Sequence, residues 1–196
     1  MSGSREQALV NTQVGTYGTE GEQLDWSYYD TILVAAATLT HRLFTNPLGS
    51  AGKALDETNL TLAGQIPQGQ LLDVRAIKVF YTGSTVKATA NVLPLYTLLA
   101  RTVISIKLAN KETMGQWTLQ ELLGAATLVP LTPTAAGDNI PIIQPRYHGI
   151  FPLNKKLILA ALTPFEVTLT HSVAPDASLA NDRIKVSLAG ILTRVS

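Results

Sequence analysis

The residue types best suited to acid–base catalysis or metal binding in this chain are three histidines, His41, His148 and His171. They are widely separated, and no two of them have the HExxH spacing that places two imidazoles on one helix face for zinc. The chain contains no cysteine, which excludes thiolate metal sites, disulfides and cysteine nucleophiles. His41 and His171 lie in segments with strand character, so we interpret them as residues at the edge of a core or at an interface.

Short motifs that contain glycine, lysine or adjacent acids also lack the spacing that their chemistry requires. The segment 15–21, GTYGTEG, does not have the GxGxxG spacing of a dinucleotide-binding turn. Gly52 and Lys53 lack the upstream glycine and the following Ser or Thr of a phosphate-binding loop. Asp56 and Glu57 are adjacent, but no DxDxDG loop surrounds them with the further oxygen ligands that calcium needs. These motifs are better explained as an arm and as solvated turns.

The remaining acids and the serines form no catalytic pattern either. No GxSxG elbow is present in the sequence. Asp73 and Glu166 occupy positions typical of the polar faces of strands, rather than of a carboxylate pair for glycoside hydrolysis. We therefore predict no catalytic residue, no metal ligand, no cofactor-binding residue and no enzymatic activity.

Four aromatic residues leave a binding function open. Trp26, Tyr28 and Tyr29 cluster at the start of the first strand-like segment, and Trp117 lies far from them in the sequence. Aromatic rings form stacking platforms for sugars, and they also pack in cores and subunit contacts. A carbohydrate-binding, lectin-like β-sandwich module is thus the alternative function, and core or interface packing is the competing explanation for these side chains.

Charge is scarce throughout the chain. Charged residues make up 15% of the 196 residues, against roughly 25% in an average globular protein, whereas the hydrophobic share is an ordinary 46%. Fifteen basic and fourteen acidic residues give a net charge of +1, and no block of like charges provides an electrostatic footprint for nucleic acid. The apolar stretches are too short or too interrupted to span a membrane, and the N-terminus does not have the pattern of a secretory signal. We expect a compact protein with much of its surface covered by copies of itself.

Composition and alternation divide the chain into an N-terminal arm, residues 1–24, and one β domain, residues 25–196. The arm is rich in Gly, Thr, Gln and Ser, and it has too few large apolar side chains to build a core, so we expect it to be flexible or docked on a neighbour. Alternating apolar and polar residues predict strands in the domain, with a bulge or bend at Gly190. The predicted strand segments are 27–44, 71–83, 102–110, 155–172 and 183–196.

Long connections rich in turn residues separate these strands. Residues 45–70 and 124–144 are predicted to be irregular, and Leu60, Leu62 and Ile66 are expected to hold the first of these connections against the domain. A short helical turn is predicted after Pro94, and residues 116–123 are ambiguous between a strand and one helical turn. Many short strands with almost no amphipathic helix predict an all-β sandwich.

Three segments of the chain resemble the jelly-roll capsid proteins of icosahedral, tailless bacterial viruses. Residues 41–81 have an aromatic strand end and a Pro-Gly turn, followed by Lys53, an acidic-Thr-Asn element at 57–59 and a turn similar to Leu-Pro-x-Gly-Gln. Residues 164–167, Pro-Phe-Glu-Val, resemble the penultimate strand of those proteins. Residues 184–196, with their Gly and Arg, are similar to the closing strand.

The resemblance implies a single jelly-roll β-sandwich of about eight strands, because the chain is too short for a double one. It implies a structural virion protein, a capsid or coat subunit that self-assembles into an icosahedral shell of a bacteriophage. The expected partners are copies of the chain itself, with a second capsid protein left open, and any membrane contact is indirect. The expected location is the virion, assembled in the host cytoplasm. Arg5 is the only basic residue of the arm, so we expect no specific nucleic-acid site. We expect no cofactor, because no cofactor-binding motif is present in the sequence.

Overall fold

The protein is an all-β sandwich of two four-stranded antiparallel sheets, as the sequence predicts. The computed structural model describes residues 22–83, 92–109, 113–123, 127–130, 141–144 and 150–194. Within these ranges, two α-helices and one 3-10 helix accompany the strands. The elements are β1 Glu22–Leu33, β2 Thr40–Leu43, β3 Gln70–Thr82, α1 Val92–Arg101, β4 Thr102–Leu108, β5 Thr113–Thr118, α2 Leu119–Leu122, β6 Thr127–Pro130, β7 Pro141–Gln144, β8 Ile150–Leu159, β9 Phe165–His171, the 3-10 helix Ala177–Leu179 and β10 Arg183–Arg194.

The strand order is that of a jelly roll. One sheet has the order β1-β10-β3-β8 and the other has the order β2-β9-β4-β5. The chain passes from one sheet to the other between β1 and β2, between β2 and β3, and again between β8, β9 and β10, so the two sheets are wound together. Strands β6 and β7 form a separate two-stranded ladder. The eight strands of the two main sheets agree with the number implied by the resemblance.

The interior between the sheets is filled by apolar side chains whose spacing follows the strand period. On β9, Phe165, Val167 and Leu169 are buried, and the residues between them face outward. On β10, Ile184, Val186 and Leu188 occupy the same interior in register with the odd-numbered residues of β3. The sequence predicted these alternations, and the structure confirms them.

The bulge expected at Gly190 is also present. The register of β10 against β3 shifts between Ala189 and Gly190, and the buried positions of β3 change there from even to odd numbers. A Cβ atom on Gly190 would collide with the backbone of Asp73 across the ladder. Glycine is therefore required because β3 and β10 approach closely. The extra residue of the bulge is Arg75 of β3, and it lets both halves of β3 keep an apolar face inward.

Several predicted boundaries change. β1 begins at Glu22, so residues 22–24 of the expected arm belong to the strand, and residues 1–21 lie outside the described part. The helical turn expected after Pro94 is the longer helix α1, whose first turn tolerates the proline because its N–H needs no partner there. The ambiguous segment is β5 followed by α2, which Thr118 and Glu121 cap reciprocally. The predicted irregular segment 124–144 contains β6 and β7.

The connection between β2 and β3, residues 44–69, packs tightly against the sandwich. Leu60 and Ile66 are fully buried, as expected, because they cover the open side of the core. Leu62 was expected to help, but its side chain is 39% exposed. Gly49 and Gly52 adopt positive φ angles of 81° and 75°, which allow the tight turns of this connection.

Candidate functional site

The two histidines with strand character meet inside the sandwich. His41 on β2 and His171 at the end of β9 have ring centroids 5.2 Å apart with nearly perpendicular planes. His171 is buried and His41 is half-buried, which agrees with the interpretation of both as core-edge residues. Their mutual contact was not predicted, because 130 residues separate them in the sequence.

The hydrogen bonds of Thr102 define the protonation of His171. The Thr102 hydroxyl lies 2.5 Å from the Leu98 carbonyl oxygen and 2.6 Å from His171 Nδ1. Because its one hydrogen is donated to Leu98, the hydroxyl oxygen must accept from Nδ1–H of His171. The Nε2 atom of that neutral ring then carries a lone pair.

The environment of the pair keeps both rings neutral at neutral pH. Burial, and then the proximity of His41, lower the pKa of His171 to about 4, and burial also lowers the pKa of His41. Both Nε2 atoms are shielded from solvent and have no hydrogen-bond partner among the described residues. Within those residues no group of three or more potential ligands is arranged to hold a metal ion. The pair is thus a buried polar element of the sandwich rather than an accessible base.

The most elaborate polar arrangement lies along the outer edge of β1, a feature that sequence reasoning missed. The Asn59 amide accepts a hydrogen bond from Tyr29 N–H at 2.9 Å and donates to the Ser27 carbonyl at 2.8 Å. The Thr58 hydroxyl donates to the Tyr29 carbonyl at 3.1 Å. Side chains of the β2–β3 connection therefore occupy backbone positions that another strand would use.

A buried ion pair continues this edge. Asp30 is 1% exposed, and its carboxylate accepts from Phe44 N–H at 2.6 Å and from Thr31 N–H at 2.9 Å. Lys53 Nζ lies 3.1 Å from Asp30 Oδ1 and also donates to the Thr31 carbonyl. Lys53, which was considered as part of a phosphate-binding loop, is thus paired with a buried carboxylate. We call Asp30, Lys53, Thr58 and Asn59, with the backbone of Ser27–Thr31, the β1 lock.

Surface charges next to the β1 lock pair with one another. Arg183 forms ion pairs with Asp56 at 3.4 Å and with Glu57 at 3.8 Å. Lys185 Nζ lies 3.9 Å from the ring centre of Tyr29 and donates to the Asp56 carbonyl oxygen. The acidic pair considered as a calcium turn is therefore a surface ion-pair group.

The two acids considered as a carboxylate pair are separated by the whole sandwich. Asp73 on β3 lies near Arg75, with 3.4 Å between their charged atoms, and Glu166 on β9 lies 3.4 Å from Arg42. Their strands belong to different sheets, and both residues alternate with buried neighbours, so they face outward in opposite directions. This geometry excludes joint action on one glycosidic bond.

The four aromatic candidates do not form one platform. Tyr28 is buried and donates to Gln70 at 2.7 Å, whereas Tyr29 points to the opposite face and donates to the Leu55 carbonyl at 2.5 Å. Trp26 is 37% exposed, and Arg194 lies over its ring at 5.5 Å. Trp117 packs against Phe151 on the far side of the sandwich, with ring centroids 6.1 Å apart. These contacts agree with packing as the role of the aromatic residues.

The signal that could have revealed the β1 lock was in the sequence. Lys53 and the Glu57-Thr58-Asn59 element are among the residues that carry the resemblance to jelly-roll capsid proteins. Their hydrogen-bonding side chains interrupt a connection otherwise made of turn residues, which is a pattern suited to anchoring backbone. What the sequence did not show was which strand they anchor.

Two further observations bear on the kind of protein. None of the helices in the described residues is both long and apolar enough to cross a membrane. A comparison of the chain with protein-family models and with curated proteins finds no match.

Proposed function

We propose that this protein is a structural virion protein, a coat subunit that self-assembles into an icosahedral shell. The observation that carries the proposal is the coincidence of two features. The chain forms a single jelly roll, an architecture that occurs in viral capsid and lectin domains. Three residues of the β1 lock, Lys53, Thr58 and Asn59, are among the residues that resemble capsid proteins.

The β1 lock suits a closed assembly. An unprotected edge strand pairs readily with other strands and leads to open-ended aggregates. Here the backbone of Ser27–Thr31 is already satisfied by Lys53, Thr58 and Asn59. The edge of β1 is therefore closed to strand pairing, which favours contacts between subunits through the side chains of faces and ends.

The surface composition supports contact with copies of the chain. Charged residues are only 15% of the sequence, and interface cores are depleted in charge. Several large apolar side chains are exposed on the loops and helix of the described residues. They include Leu39, Leu48, Leu55, Leu93, Tyr96, Leu162 and Val173.

The interior supports a structural role over a ligand-binding one. The space between the sheets is occupied by closely packed Leu, Ile, Val and Phe side chains, most of them fully buried. The aromatic residues that a lectin-like module would use are engaged with Gln70, Leu55, Arg194 and Phe151. The carbohydrate-binding alternative is therefore kept as an outcome of the test and not as a second proposal.

Size-exclusion chromatography with light scattering over a wide concentration range, followed by electron microscopy, tests the proposal. We expect discrete oligomers that grow into shells or shell fragments as concentration rises. The purified protein is applied in parallel to a glycan array. A monomer at every concentration would contradict the coat-subunit proposal, and a monomer that also binds glycans would establish the alternative.

A further inference from the structure

An apolar groove lies where α1 meets the connection between β9 and β10. Its volume is about 260 Å³, and its walls include Leu93 and Leu98 of α1 together with Val173 and Pro175 of the connection. Leu93 is 71% exposed and Val173 is 50% exposed, although both line the same concave surface. Large apolar side chains gathered in one exposed concavity are typical of a binding site.

The carboxylate of Asp176 gives this groove a negative charge. Asp176 lines it, and its carboxylate accepts a hydrogen bond from Ser178 N–H at 2.8 Å. Hydrogen bonds from Ser178, first from its side chain and then from its backbone N–H, lower the pKa of Asp176, so the group is a carboxylate at neutral pH. No basic side chain of the described residues forms an ion pair with Asp176. The groove thus favours an occupant with a short apolar segment and one cation.

The N-terminal segment of this chain has that chemistry. Arg5 is the only basic residue among residues 1–21, and Ala8, Leu9 and Val10 follow it as the most apolar run of the segment. The groove is slightly smaller than pockets for drug-sized ligands, which begin at roughly 300 Å³, so it suits one or two aliphatic side chains. Arg5 lies four residues from Leu9, close enough for both to contact one groove and its charged wall.

Chain length indicates that the occupant comes from another molecule. The groove lies beyond the Leu33 end of β1, because the β9–β10 connection leads into Arg183, the register partner of Leu33. β1 spans about 37 Å, and the twelve residues from Val10 to Glu22 reach about 40 Å when fully extended. To place Val10 in the groove of the same molecule, the arm must reverse at Glu22 and then run almost fully extended along β1, whereas an arm from a second copy has no such constraint.

We infer that the groove between α1 and the β9–β10 connection binds residues 5–10 of a second copy of the chain, with Arg5 paired to Asp176 and Leu9 and Val10 against Leu93 and Val173. This inference rests on the proposed function, since it assigns the arm to one contact of the assembly. It makes the arm a specific connector between subunits.

Cross-linking of mixed single-cysteine chains tests the placement, because the native chain contains no cysteine. Full-length Leu9→Cys protein is mixed with full-length Val173→Cys protein and treated with a short bis-maleimide. The matched control is Leu9→Cys mixed with Leu55→Cys, which places the second thiol at a position on the β2–β3 connection that is at least as exposed as Val173. We expect covalent dimers to exceed the control several-fold. Equal yields in the two mixtures would overturn the inference.

Charge reversal provides an independent readout. Arg5→Asp and Asp176→Arg are each expected to reduce the cross-linking yield several-fold, and the two chains combined with swapped charges are expected to restore it. Loss without restoration would contradict the Arg5–Asp176 pair.

A monomeric chain carrying both Leu9→Cys and Val173→Cys that cross-links internally would contradict the placement on a second copy. Shells that form without preferential cross-linking would overturn this inference and leave the coat-subunit proposal standing, whereas a permanent monomer would overturn the proposal itself.

Discussion

The two long sides of the sandwich are closed by different chemistry. On the side of β1 and β2, a connection inserts Lys53, Thr58 and Asn59 against the backbone of β1 and the carboxylate of Asp30. On the side of β5 and β8, the described residues meet through the rings of Trp117 and Phe151. The contacts of the first side depend on hydrogen-bond geometry and on paired charges, and those of the second side depend on buried apolar area.

The difference teaches how each side responds to change. A buried ion pair that loses one partner leaves a desolvated charge behind, so its removal costs far more than the pair contributes when intact. An apolar contact weakens in proportion to the area lost, and similar side chains replace one another at small cost. We therefore expect substitutions on the β1 and β2 side to reduce stability strongly, whereas the β5 and β8 side should accept similar apolar side chains at small cost.

The largest expected effect comes from Lys53→Met. This change leaves Asp30 buried without its cation, and we expect a loss of about 3–5 kcal/mol in the free energy of unfolding. Denaturant unfolding followed by circular dichroism measures it. The matched control is Arg183→Met, which breaks exposed ion pairs of the same connection and should cost less than about 1 kcal/mol. Equal losses in the two variants would show that Asp30 is not held as described.

On the opposite side, Trp117→Ala removes the ring that packs on Phe151. Because Trp117 is only partly buried, we expect a loss of about 2 kcal/mol, below the range for fully buried aromatic residues. Trp117→Phe should recover most of it, as the same denaturation experiment will show. A loss in Trp117→Phe as large as that in Trp117→Ala would contradict the view of this side as tolerant.

Acid provides a further test of the β1 and β2 side, because the histidine pair includes His41 of β2. The pKa of His171 is lowered to about 4 in the folded protein, so the unfolded chain binds the proton more readily. Stability is therefore retained above pH 6.5 and lost as pH falls toward 4, by about 1 kcal/mol or more from this group. Thermal unfolding of wild type and His171→Asn, which keeps a donor for Thr102, should converge as pH falls. Parallel curves would contradict a buried neutral His171.

The smallest effect on stability is expected from Asn59→Ala. Two partly exposed backbone groups of β1 lose their partners, which costs about 1 kcal/mol. The diagnostic result is association, since the freed edge becomes available for strand pairing. Light scattering during incubation should rise faster for this variant than for Thr61→Ala, a change at an exposed threonine of the same connection. Identical scattering would mean that Asn59 does not protect the edge.

The sequence was informative where structure depends on local period. The alternation of Phe165, Val167 and Leu169 predicted β9, because side-chain direction in a strand follows residue number. The glycine at 190 predicted the bulge between β10 and β3. The sequence predicted only a short helical turn after Pro94, whereas helix α1 begins at Val92 and ends at Arg101. The partners of His171 and Lys53 were not predictable, since each is chosen by tertiary contacts between distant segments and not by neighbouring residues.

The central position of β10 has a consequence for how the chain is made. β10 lies between β1 and β3, and its register joins Glu22 to Arg194 across most of the sequence. During synthesis, β1 and β3 cannot pair with their common neighbour until residues 183–194 have left the ribosome. Contacts of such high sequence separation make folding slow. A nascent chain therefore cannot form the complete subunit before β10 emerges. Loss of β10 would leave β1 unpaired and one edge of β3 open for chaperones and proteases to recognise, although β3 would still pair with β8.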